Sequence, residues 1–189
     1  MHVSDLFDSS IHCFYASRMF SKPRQLVTEE ELYDAAVKAL MRRAHSVHEM
    51  KQKLERRAED KSLVKNVLDR LKQNGLIDDA RYAKQFTRQR TEVRRQGQFR
   101  ISRDLRGRGI PDKHISAAIE ESAQTTDAAV VVRERIARKL KLFRGEIDDK
   151  KMASLYRSLL RLGFPSDVIR RELRAMTREE LPEVEMDSE

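Results

Sequence analysis

The sequence predicts an all-α protein, three tandem three-helix repeats forming an elongated, curved body. Three observations lead there. No stretch sustains the two-residue alternation of a half-buried strand, and six glycines and four prolines are too few for the turns of an all-β fold. From Thr28 onward the apolar residues recur at helical spacing instead. The third observation is an internal repeat. Met50, Leu54, Val64 and Leu68 return 51 residues later as Ile101, Leu105, Ile115 and Ile119, and after a further shift of 54 as Leu155, Leu159, Ile169 and Leu173.

Residues 1–27 read as an N-terminal extension, expected to be mobile. Phe7, Ile11, Phe14 and Phe20 offer apolar side chains there, but Pro23 and scattered serines interrupt a long helix. The first repeat, 28–75, takes helices near 28–43, 46–57 and 61–73. Thr28 with Glu31, and Ser46 with Glu49, fit capping boxes that satisfy the free N–H groups of a helix start. Gly75 ends the last of the three. The second repeat, 76–123, takes helices near 78–93, 97–106 and 111–122, and the third, 124–177, near 126–142, 149–162 and 166–176. Gly109-Ile110-Pro111 recurs as Gly163-Phe164-Pro165, glycine supplying the helix exit and proline opening the next helix. The first repeat departs here, with Ala58-Glu59-Asp60 in that place. Helices this short hold their shape only by burying shared apolar faces, and such repeats usually pack on their neighbours. Residues 178–189 form an acidic tail.

Charge limits the function. The last eleven residues hold six acidic side chains and no basic one, so the +8 of the whole chain becomes +14 over residues 1–178. A body of that charge attracts polyanions such as nucleic acid, or acidic protein surfaces. The longest apolar run, Ala128 to Val132, is far short of the ~18 residues of a bilayer span. Met1-His2-Val3-Ser4-Asp5 lacks the basic start of a secretory signal, and one cysteine, Cys13, excludes an internal disulfide framework. A cytoplasmic location is expected.

The stretch Leu76-Ile77-Asp78-Asp79-Ala80-Arg81-Tyr82-Ala83-Lys84-Gln85-Phe86, with Gly97 and Asp104-Leu105-Arg106-Gly107-Arg108-Gly109-Ile110, resembles the RecX family. Arg43-Ala44-His45-Ser46-Val47-His48-Glu49-Met50 with Lys53-Leu54 is similar to that family's Arg-x-x-Ser-x-x-Glu-Leu-x-x-Lys-Leu signature, Met50 replacing the usual leucine. The resemblance runs from about Thr28 to Met176, strongest in the middle repeat and weakest in the third. It implies a non-enzymatic regulator of the RecA recombinase in recombination, DNA repair and the SOS response. Such a protein lies in the helical groove of the RecA–DNA filament and restrains its ATPase and strand exchange. The implied partners are RecA and single-stranded DNA or the DNA of the filament; the chain is expected to be monomeric, with no cofactor.

The residues carry a physical signal of their own. Arg88 to Arg108 holds eight arginines against Glu92 and Asp104. Arg81, Lys84 and Arg88 share the helix face opposite Tyr82 and Phe86, and Arg100, Arg103 and Arg106 span an outward arc opposite Ile101 and Leu105. With Arg94 and Arg95 between them, and Arg133 and Lys139 from a second basic cluster (Arg133 to Arg144), these form the expected surface for RecA or DNA. Guanidinium forks suit phosphates and carboxylates alike, so the patch does not choose its anion; a solvated helix face is the plainer alternative. A DNA-binding protein acting independently of RecA is the main rival.

Other motifs read as structure. Tyr82 and Phe86 fit core packing better than base stacking, and Asp78 with Asp79 fits helix capping better than acid–base or metal chemistry. His45 and His48 lack a third ligand, Cys13 lacks a matched histidine, and Gly107 with Gly109 forms no phosphate loop. No enzyme is expected. The acidic tail reads as a solubilising end, or as a mimic of phosphate against the basic body.

Overall fold

The computed structural model describes residues 25–143 and 148–179. Cys13, Phe7, Ile11, Phe14 and Phe20 of the extension, Arg144 and most of the acidic tail lie outside the described residues. Among those described, nine helices follow one another and no strand forms: α1 (Glu29–Leu40), α2 (Val47–Glu55), α3 (Ser62–Gln73), α4 (Asp79–Glu92), α5 (Gln98–Arg106), α6 (Asp112–Thr125), α7 (Ala128–Leu140), α8 (Asp149–Arg161) and α9 (Ser166–Glu179).

Local sequence explains where they begin. The Thr28 hydroxyl accepts from the Glu31 N–H, and Ser46 and Glu49 form a reciprocal capping box at the start of α2. Asp78, Asp127 and Asp148 accept N–H groups at the starts of α4, α7 and α8. Gly75 leaves α3 at φ +65°, with open space around its Cα. Gly75→Ala is expected to cost about 1–2 kcal/mol, the left-handed backbone strain alone; urea unfolding would check it.

Three apolar clusters form, one for each consecutive helix triplet. Met50, Leu54, Val64 and Leu68 are buried in the first, Ile101, Leu105 and Ile115 in the second, and Leu155, Leu159, Ile169 and Leu173 in the third. Ile119 is partly buried against the second. Leu26 and Ile77, on either side of the expected 28–75 unit, also pack into the first cluster. In each triplet the first and third helices make the principal contact, while contacts between helices of different triplets are sparse.

The triplets join through a repeated device. At the first joint the Ser46 hydroxyl donates to the Arg108 carbonyl (2.7 Å), and the Val47 N–H donates to Asp79 (2.9 Å). At the second the Gly97 N–H donates to the Leu162 carbonyl (2.8 Å) and the Phe99 N–H to the Gly163 carbonyl (3.0 Å). Ser46 and Gly97 are the N-caps of corresponding helices, 51 residues apart, and Arg108 and Leu162 are corresponding turn residues, 54 apart. The start of the second helix in one unit thus docks on the turn after the second helix of the next. In the first unit the corresponding carbonyl, Arg57, accepts instead from the Leu26 N–H (2.7 Å), and Leu26 forms an isolated parallel bridge with Ala58. The Ala58-Glu59-Asp60 departure coincides with this different partner.

Candidate binding surface

The helix ends and joints fix where the basic side chains stand. On α4, Tyr82 and Phe86 are buried, their rings stacked at 6.1 Å, and Arg81, Lys84 and Arg88 face solvent. Each outward side chain is nevertheless occupied. Arg81 donates to the Gly75 carbonyl at 2.6 Å, Lys84 pairs with Glu121 at 2.7 Å, and Arg88 pairs with Glu92 one turn on. Pairs this exposed contribute little to stability, and a stronger anion can displace them.

The turn between α4 and α5 folds back on α4: the Gln96 N–H donates to the Arg90 carbonyl at 3.0 Å. Arg95 takes a left-handed backbone (φ +51°) and its guanidinium lies 3.7 Å from Glu134 on α7. The Arg94 carbonyl accepts from Arg135 of α7 (2.9 Å), which leaves the Arg94 side chain in solvent. On α5, Arg100 donates to the Arg161 carbonyl (3.3 Å) and Arg106 pairs with Asp112 (2.8 Å), whereas Arg103 is exposed. In the third unit Arg133 pairs at 2.8 Å with Glu172, a carboxylate only 3% exposed, and Lys139 is exposed.

Of the ten cations expected from the sequence, the side chains of Arg94, Arg103 and Lys139 have no hydrogen-bond or ion-pair partner among the described residues. Arg95 and Arg133 pair with acids on other helices as well as carrying charge.

Arg90, one of the eight arginines of the run but not among the ten cations expected at the surface, feels the charges of Arg94, Arg100 and Arg108. Its guanidinium lies 4.7 Å from the Phe86 centroid, with that of Arg108 at 5.1 Å from the same ring. Burial, then the charges of Arg94, Arg108 and Arg100, lower its affinity for its proton, with Asp104 opposing them. Its position one turn beyond Phe86 was a legible signal, since residues four apart share a helix face.

The histidines and acids fall to structural duty. His48 is 2.9 Å from the Gln52 amide, and His45 is buried with its Nδ1 3.6 Å from Glu49. Asp78 caps α4, but Asp79 serves the preceding unit by accepting from Val47. Among the described residues no three His, Cys, Asp or Glu side chains gather as a metal site, and no helix is long and apolar enough to cross a membrane.

Glu49 ties the first joint, pairing with Arg43 (3.0 Å) and with Arg108. Burial opposes its ionisation, but the hydrogen bonds from Arg43 and the Ser46 N–H and the charges of Arg43 and Arg108 hold its carboxyl below the ordinary 4.5. Burial, then Arg43 and Lys53, hold His45 below 6.5, with Glu49 opposing. In both cases the unfolded chain takes up the proton first, so stability present at neutral pH is lost as the pH falls. The decline should begin below 6.5 with His45 and deepen below 4.5 with Glu49. Urea melts from about pH 8 to about pH 5 should show the first part, and His45→Gln should flatten it.

Known proteins share this architecture. Family models described as "RecX, first three-helix domain" and "RecX, second three-helix domain" match residues 33–71 and 78–119. A protein named regulatory protein RecX from Halorhodospira halophila is 36% identical over 142 residues, covering 75% of this chain and 85% of its own. A namesake from Chlorobium phaeobacteroides is 32% identical over 148 residues, 77% of this chain and 93% of its own. The crystal structure of RecX from Lactobacillus salivarius superposes with a TM-score of 0.67 over 79% of this chain and 97% of that one, at 21% identity, a likeness of fold. With two family domains matched in order and a relative above 30% identity along most of its length, the chain belongs to the RecX family of regulatory proteins.

Proposed function

We propose that this chain binds in the helical groove of a RecA–DNA filament and restrains the ATPase and strand-exchange activities of RecA. Family membership supports the choice of partner. The observation that carries the mode of binding is that, of the ten expected cations, Arg94 and Arg103 in the second unit and Lys139 in the third have side chains without a hydrogen-bond or ion-pair partner among the described residues. They are spread along the chain rather than gathered in one pocket, which suits a partner that repeats. Contacts to several protomers raise affinity through effective concentration, so modest single contacts suffice. Arg81, Lys84, Arg88, Arg95, Arg100, Arg106 and Arg133 join the surface as their present partners yield to RecA carboxylates or DNA phosphates. The chain acts as a monomer and without a cofactor. Its action is steric: an occupied groove excludes a second duplex and restrains the protomer movements tied to ATP hydrolysis.

The test compares binding to bare single-stranded DNA with binding to a RecA filament preformed on the same DNA, with ATPase and strand exchange measured in parallel. The expected result is at least tenfold tighter binding to the filament, with both activities reduced. Equal binding to bare DNA with unaltered RecA activities would identify instead a DNA-binding protein acting independently of RecA.

A further inference from the structure

The joint between the second and third units carries a groove that the cation inventory alone does not explain. It measures about 330 Å³ and is lined by Phe99, Arg100 and Arg103 from α5 and by Leu160, Arg161 and Gly163 at the end of α8. Phe99 is 60% exposed, the one aromatic ring in the described residues that stands mostly in solvent, and Leu160 beside it is 39% exposed. Three arginines and no carboxylate share the lining. Arg100 is held to the Arg161 carbonyl, but the guanidinium groups of Arg103 and Arg161 have no hydrogen-bond or ion-pair partner among the described residues.

The backbone that carries the ring is also held in place. The Phe99 N–H donates to the Gly163 carbonyl and the Gly97 N–H to the Leu162 carbonyl, so the start of α5 is fastened to the turn that follows α8. An aromatic side chain on a fixed backbone loses less freedom on binding a flat partner than one on a loose loop. Burial in the chain's own core is not its role, because it lies about 200° around the helix from Ile101, which faces the core. An exposed aromatic between unpaired arginines is the arrangement that holds single-stranded nucleic acid, bases on the ring and backbone phosphates on the guanidinium groups.

We propose that this groove binds single-stranded nucleic acid, with one base stacked on Phe99 against Leu160 and flanking phosphates on Arg103 and Arg161. The inference rests on the DNA side of the function proposed above and names its site. A duplex keeps its bases stacked inside and offers a face to Phe99 only at the cost of unstacking a base step, so the groove prefers a single strand. An acidic, apolar segment of a protein is the competing occupant, and the experiment separates the two.

The chain contains no tryptophan, so Phe99→Trp introduces a single indole whose emission reports on that position alone. Full-length protein carrying this substitution is titrated with an oligothymidylate, with a duplex of matched length and with inorganic polyphosphate. The single strand is expected to quench the emission; polyphosphate and duplex are expected to leave it nearly unchanged. In parallel, fluorescence anisotropy of a labelled oligothymidylate should show about tenfold weaker binding for Phe99→Ala, near-parental binding for Phe99→Trp, and a shallower salt dependence for Arg103→Gln with Arg161→Gln.

Strand binding without quenching, or Phe99→Ala binding the strand like the parent, overturns the proposal. So does a Phe99→Ala protein that loses RecA-filament binding while keeping its affinity for the bare strand, since the occupant is then a protein surface. Quenching and strand binding that persist in a protein without effect on RecA uphold this site and overturn the filament-regulator reading. Circular dichroism of each variant verifies that the helices remain, and Phe99→Trp, which keeps the ring, tests the site even where Phe99→Ala unfolds.

Discussion

Replacing Arg94 and Arg103 by glutamate together is expected to weaken RecA-filament binding at least tenfold, with inhibition of ATPase and strand exchange falling in step. Both side chains are exposed and hold no acid among the described residues, so reversal removes two contacts to the partner and breaks none within the chain. A hydrogen bond to a charged group is worth about 1.5–3 kcal/mol, and reversal adds repulsion to the loss. The fold should change by no more than about 0.5 kcal/mol, as for other surface positions away from caps and core. Arg106→Glu is the matched control on the same helix: its partner Asp112 lies 2.8 Å away, so its charge is already answered and its reversal should weaken binding less. Raising salt should weaken the parent more than the double variant, because exposed charges are screened within about 10 Å at 0.1 M. Equal binding by parent and double variant at matched salt would assign both arginines to a solvated helix face.

Gly163→Ala is expected to be strongly destabilising, because it combines left-handed backbone strain with a collision against backbone. At φ +89° the new residue would carry left-handed strain, and its Cβ would fall 2.3 Å from the Arg100 backbone nitrogen. Backbone cannot swing aside as a side-chain tip can, so α5 and α8 must separate and the Gly97 and Phe99 hydrogen bonds stretch or break. Strain and two weakened hydrogen bonds together amount to roughly 2–5 kcal/mol. Gly75→Ala, with similar strain and no obstructing atom, isolates the first contribution. If the two variants lose the same stability in urea, the close approach of the two backbones contributes nothing.

The helices were legible because their signals are local. Thr28, Ser46 and Asp78 sit beside the N–H groups they accept from, and the Gly-apolar-Pro turns mark their own repeats. The surface was less legible because its pairing is not local. Whether Lys84 is free depends on Glu121, 37 residues on, and whether Arg133 is free depends on Glu172, 39 residues on; both follow from how the first and third helices of a unit cross. Arg95 and Asp79 taught the same lesson at the joints: one looked like plain surface charge and the other like a cap for its own helix, yet each reaches into a neighbouring unit. Phe99 was visible as an apolar residue on the wrong side of α5, but only the adjoining end of α8 turns it into part of a groove.

The hydrogen bond from Leu26 to Arg57 bears on how such a chain can change length in evolution. Every described turn of this type has its carbonyl satisfied, two by the unit before and one by residue 26. A duplicated middle unit would bring both halves of a joint with it, an N-cap to donate and a turn to accept. An added unit ahead of α1 would find its acceptor taken and would have to evict Leu26 from a buried position. Gene duplications that lengthen this array are therefore expected to survive in its interior and to fail at its leading edge.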